Sequence, residues 1–413
     1  MNFRMCSFLR ITLALAAAAA GAGTSEARTW QVAKSGTRDF AVIQDAVDAA
    51  ASGDTIMIGP GRYEEFTWIT LGNSLVYVDG HGKDMTIIGA GRDETIIGHE
   101  SPLFPEYVET VGLHWLGAGV DLAVRGLTLE NLQATSGFYF GGDRLEVDNL
   151  AIRNCYIGIN LIAREGGWIR NCEFETVGYD STDLTIIGTA VLVYEPTVDF
   201  LIDHSTFVDC GIGVASVWDY TENTVIQYCS FLGGRTGVDF NSGASGTIRH
   251  CAFSSQYLYG IVGSFNDNAT LVIEDNTILA DHPAAKAYGF SLYWPRGTYT
   301  LRRNTITAAN GNACFWVTVP NAVFDARDNH FLRADTASFL AKGFANPNAP
   351  GAPFTIDATG NWWGTTDPAE IAAGILDLDD DPALDYRIVF EPFLGGPVPV
   401  RNRSLGGVKA LFR

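Results

Sequence analysis

Asp219 and Asp239 are the two carboxylates whose setting invites chemistry, each placed at or beside a short apolar run. A pair of carboxylates about 5 to 9 Å apart can hydrolyse a glycosidic bond, one as acid and the other as base or nucleophile. Tyr220 adds a phenol beside the first. Around them the chain supplies Tyr194, Glu195, Trp218, Asn241, Tyr293, Trp294 and Trp316. Aromatic rings stack on the apolar face of a pyranose, while carboxylates and amides bind its hydroxyls. The plainer alternative is that several of these rings pack inward as core. A third group is acidic: Asp377, Asp379 and Asp381 match the first three ligand positions of a calcium loop, but Pro382 stands where the turn glycine belongs and Ile388 where the closing glutamate belongs. Ca²⁺ binding and a solvated acidic turn both remain open there.

These residues need a frame, and the frame is a repeat. The segments NTVIQYCSF, SGTIRHCAF, TLVIEDNTI and TYTLRRNTI share one pattern of apolar, polar and small positions. The same bend position falls at Leu127, Leu150, Cys172, Ser205, Cys229, Cys251, Asn276, Asn304, Asn329 and Asn361, at spacings of 22 to 33 residues. Such a period marks a solenoid, in which each unit buries its apolar face only against its neighbours. Apolar and polar residues alternate with period two, and Ile, Val, Phe and Thr dominate, so the unit is built of strands. Asparagine at the last four bends suits both a left-handed bend residue and a rung-to-rung amide ladder. A further strand precedes each bend and usually starts at glycine, as in Gly213-Val214, Gly237-Val238, Gly260-Ile261 and Gly289-Phe290. Three short strands per turn describe an all-β, right-handed parallel β-helix of ten or more rungs, roughly 45 Å long. Alternation then turns Asn160, Leu192, Ala215, Asp239, Val262 and Ser291 outward on one lateral face. The long insertions 177–188, 280–288 and 333–353 precede the first strand of a turn or the closing rung and could wall a groove there.

DFAVIQDAVDAAASGDTIMIGPGRYEEF (residues 39–66) resembles the entry segment of the pectin-lyase-like β-helix superfamily. That resemblance implies an N-terminal capping helix and a first rung, and Ile43, Ala46, Val47 and Ala50 do recur at helical spacing. MTIIGAGRDETIIGH (85–99) resembles the next rung, and residues 360–394 resemble a closing segment of bacterial secreted β-helix proteins. The superfamily includes lyases, hydrolases, epimerases, esterases and inert surface proteins, so it implies a fold and not an activity. DFLIDHSTF (199–207) resembles a pectate lyase segment, but the accompanying arginine motif is absent, and Asp203-His204 falls in the ordinary repeat frame. The polygalacturonase pattern is also missing, since Gly80-His81-Gly82 lies in the wrong part of the coil.

Residues 1–27 read as a secretory signal, with Arg4 and Arg10 before an apolar stretch and a small-residue cleavage site. Residues 28–394 form the β-helix, and 395–413 form a tail that is either a sorting signal or a frayed end. Nothing after the signal reads as a membrane span. The chain carries 27 basic and 47 acidic residues, a net charge of −20, which argues against nucleic acid and against an acidic polymer unbridged by Ca²⁺. Of seven cysteines, only Cys229 and Cys251 sit on neighbouring rungs at bonding distance, yet stacked side chains point in parallel, which favours buried thiols over a disulfide or a metal site. The expectation is a secreted monomer that contacts extracellular polysaccharide through a lateral groove. It acts either as a polysaccharide lyase or glycoside hydrolase, or as a non-catalytic envelope rod.

Overall fold

The computed structural model describes residues 26–69, 74–101, 109–132, 136–178, 188–194, 196–217, 221–264, 267–284, 287–293, 296–317, 322–342, 354–384 and 386–399. Each turn of the chain lays one strand in turn on three long sheets. Among the described residues these sheets hold twelve, eleven and thirteen strands, and every pairing within them is parallel except the hairpin Thr67–Ile69 with Ser74–Asp79. The architecture is the expected right-handed parallel β-helix, about 11 turns long.

The core is a set of ladders. On the twelve-stranded sheet Val147, Ile169, Ile202, Ile226, Ile248 and Ile273 stand opposite one another rung after rung, all buried. On the eleven-stranded sheet Phe174, Phe207, Phe231 and Phe253 stack with centroids 4.8, 4.6 and 4.6 Å apart and nearly parallel planes. β-branched and aromatic side chains suit this pleated surface because each fills the space above its counterpart. A one-residue slip would turn every ladder outward, so the repeat pattern itself fixes the register.

The bend positions line up as the spacing requires, and all ten are buried. One detail differs. The left-handed conformation belongs to the residue before each bend: Asn149, Asn171, His204, Tyr228, His250, Asp275, Arg303 and Asp328 all have φ between 48° and 60°. The asparagines at the bend itself point inward instead. Asn304 Oδ1 accepts from Asn276 N (3.1 Å) and Nδ2 (3.0 Å), and Asn304 Nδ2 donates to Ile273 O (2.8 Å) and Asn329 Oδ1 (3.0 Å). The pattern repeats from Asn329 to Asn361. At the last four bends the amide saturates the backbone where the strands turn apart.

Glycine opens the strands of the thirteen-stranded sheet for lack of room. A Cβ on Gly237 would lie 2.5 Å from Gly260 O and 2.6 Å from the Phe253 ring, and Gly213 and Gly260 face the same obstruction. The six described cysteines are free and buried. Burial pushes the Cys155, Cys172, Cys210 and Cys314 thiols up to about 12, so they serve as packing groups. A short helix, Ile43–Ala49, buries Ile43, Ala46 and Val47 at the N-terminal end of the coil, as expected. At the other end Trp363 packs on Phe331 and Phe390. No helix among the described residues is long and apolar enough to cross a membrane.

Candidate functional site

The thirteen-stranded sheet carries the outward face named above. Pair by pair, its register aligns Asp79, His114, Tyr139, Asn160, Leu192, Ala215, Asp239, Val262, Ser291 and Trp316 in a single column. Two residues further along each strand runs a second column, Val217, Asn241, Ser264 and Tyr293. A third column lies on the other side of the first: Ile212, Thr236, Tyr259 and Tyr288.

Asp239 is the chemical centre of this face. It sits half-buried on Thr236–Asn241, and Ser264 Oγ donates to its Oδ1 at 3.2 Å. Burial raises its pKa to about 6, against the opposing pull of the Ser264 hydrogen bond, Arg235 and Asn241. Desolvation penalises the charged form, so the carboxyl titrates near neutrality, where it can both give and take a proton. Asn241 is held by Ser242, whose Oγ donates to Asn241 Oδ1 at 2.6 Å.

Beside Asp239, on the following three rungs, four aromatic rings pack together. Tyr288 and Tyr293 lie 5.4 and 5.9 Å from Trp316, and Tyr259 lies 6.1 Å from Tyr288 and 6.5 Å from Trp316, with all pairs close to parallel. Burial raises the pKa of Tyr259 and Tyr288, so both stay neutral phenols. Trp316 is only 8% exposed. Expected as a substrate-binding ring, it stacks against the three tyrosines with most of its own surface covered. In the same column Ser291 is fully buried, and its Oγ has no hydrogen-bond partner among the described residues.

Of the other expected residues, Tyr194 is half-buried at the end of its strand, and its N–H donates to Leu161 O at 2.9 Å. Glu195, Trp218, Asp219, Tyr220 and Trp294 lie outside the described residues, as do 179–187, 285–286 and 343–353 of the long insertions. The Asp219–Asp239 pair therefore has no geometry here. Tyr259 and Tyr288 were not expected, because strict alternation counts them inward.

The acidic run is a turn. Asp377 accepts from Asp379 N at 2.9 Å and Ile388 N at 2.8 Å, Asp379 pairs with Arg387, and Asp381 accepts from Ala383 N at 2.9 Å. Asp377, Asp379 and Asp381, the three carboxylates for which Ca²⁺ binding and a solvated turn were both open, each accept from a different local donor. No group of three or more His, Cys, Asp or Glu among the described residues is arranged to hold a metal ion. Asp203 and His204 form a local pair at 2.8 Å; the His204 ring stacks on Tyr228 at 5.0 Å, and Tyr228 in turn stacks on His250 at 4.9 Å.

Fold and face together define a parallel β-helix protein with one chemically decorated flank. Residues 136–306 match the family model described as a right handed beta helix region, and the three-sheet coil continues on either side of that stretch. No curated protein matches. Among solved structures, the chain is similar to the periplasmic alginate epimerase AlgG (11% identity, TM-score 0.45, 83% of this chain and 77% of that one). It is also similar to XylC in complex with xylose (11%, 0.47, 74% and 75%) and to a rhamnogalacturonan lyase (12%, 0.47, 75% and 82%). Likeness at that level carries no argument about activity.

Proposed function

We propose that this protein is an exported β-helix, freed of residues 1–27, that binds extracellular polysaccharide on the outer face of its thirteen-stranded sheet. The observation that carries the reading is the concentration of chemistry on adjacent rungs: the titratable carboxyl of Asp239, the amide of Asn241, the hydroxyl of Ser264 and the tyrosines at 259, 288 and 293 share one patch. A purely structural rod has no reason to gather them. Sugar rings offer apolar faces to the phenols and hydroxyls to the polar groups, and the neutral phenols of Tyr259 and Tyr288 near a partly protonated carboxyl suit a weakly charged glycan.

The patch also supports turnover. A carboxyl half-protonated near pH 6 is poised as general acid or base for glycosidic cleavage or β-elimination. The test is a glycan array of neutral and acidic polysaccharides, followed by reducing-end and unsaturated-product assays on each hit. Binding that falls at least tenfold in Tyr259→Ala and Tyr293→Ala supports the reading, and failure to bind any polysaccharide refutes it. Product formation that disappears in Asp239→Asn makes the protein an enzyme. Undiminished binding with no product makes it a lectin-like rod.

A further inference from the structure

The decorated column does not end at Asp239. Three to six register steps toward the N-terminus, the same outward line carries Asn160, Tyr139, His114 and Asp79 on four consecutive rungs. His114 Nδ1 lies 3.3 Å from Asp79 Oδ1, and the His114 ring stacks on Tyr139 at 5.9 Å. Asp79 is itself fixed: its N–H donates to Gln44 Oε1 at 2.8 Å, its Oδ2 faces His81 Nδ1 at 3.4 Å, and His81 Nε2 reaches Asp48 at 3.1 Å. His114 and Asp79 are 22% and 23% exposed, so the pair is sheltered yet open on one side. His114 Nε2 and Tyr139 Oη have no hydrogen-bond partner among the described residues. A short polar network thus orients an imidazole and a phenol toward solvent without using either outer atom. Between the two groups lie Leu192 and Ala215, a low apolar floor with no charge.

We infer that this cluster is a second glycan-binding station on the same face, and that the ligand is an extended polymer lying along the coil axis across both stations. The inference rests on the proposed polysaccharide binding and deepens it. Strands about 4.8 Å apart put His114 about 24 Å from Asp239. A trisaccharide cannot bridge that span, while an extended chain of six or more pyranoses can. The smooth floor between the stations lets the intervening sugars pass without a specific contact.

The test uses the full mature chain and ladders from disaccharide to octasaccharide, prepared by partial hydrolysis of xylan, β-1,4-glucan, mannan and pectin, with affinity measured by calorimetry. Affinity is expected to rise at least tenfold between trisaccharide and hexasaccharide in one of these series, since the second contact is intramolecular. In His114→Ala and Tyr139→Phe that rise should collapse, so that hexamer and trimer bind alike. Tyr139→Phe removes one oxygen from a stacked ring, and an unchanged melting temperature excludes misfolding as the cause. Affinity that saturates at the trisaccharide, or a length dependence that survives in both variants, overturns the second station while leaving binding at Asp239 intact. Absence of binding by every oligosaccharide and its parent polymer overturns both.

Discussion

Asp239 has opposing consequences for stability and for chemistry. Its carboxyl titrates at about 6 in the folded chain against an ordinary value of 3.8, so the folded state holds its proton more tightly than the unfolded state does. The sign follows: the contribution is fully present below pH 4 and is lost as pH rises through 6, a difference of about 3 kcal/mol. Asp239→Asn should therefore unfold at higher denaturant than the parent at pH 7.5 and converge with it near pH 4, which chemical melts across that range will show. The position, its outward direction and its neighbours Asn241 and Tyr293 were legible from alternation alone. The pKa was not, because desolvation depends on what the adjacent rungs place over the carboxyl. Tyr259 and Tyr288 were hidden for a different reason: they stand three positions before the outward column, where strict alternation counts them inward.

At the scale of the rung, the buried amide ladder and the phenylalanine stack hold successive turns together by different physics. Asn304→Ala would strip partners from the Asn276 amide and from the Ile273 carbonyl, both buried. Leaving such groups unsatisfied costs about 2–4 kcal/mol. Phe231→Leu keeps an apolar side chain in the stack and should cost about 1 kcal/mol, so thermal melts of the two variants should differ clearly. The buried thiols give a third measurement. With Cys155, Cys172, Cys210 and Cys314 held near 12 and buried, a thiol-reactive disulfide reagent should label none of them in native protein and all of them in denaturant. Rapid labelling of the native chain would contradict the packing described. The bend positions themselves were legible to the residue. The assignment of left-handed geometry to the asparagines was not, because a bend has two residues and the sequence favours Asn for either role. Coordinates alone separate the turning residue from the one that saturates the turn.

Across the whole molecule, the coil and its N-terminal helix followed from the period and the amphipathic entry segment, since stacking like on like leaves few alternatives. The site was only half legible: its face came from pattern, its reach along the face did not, because His114 and Tyr139 lie in rungs whose repeat signal is weaker. The charge of −20 sets a prediction at this scale. Binding to an acidic polysaccharide should strengthen as salt rises from about 0.01 to 0.3 M, because screening removes repulsion, whereas a neutral polymer should bind equally at both. Titrations at the two ionic strengths decide it. The matched register of Cys229 with Cys251 across the bend stack has a last implication. The seam presented by one coil is the same as the seam presented by the next, so excising residues 229–250 joins Tyr228 to Cys251 and leaves a shorter rod with every surviving joint intact. Removing half as many residues brings unlike edges together. Such a chain can change length by whole windings, and natural lengthening or trimming of the rod has that quantum.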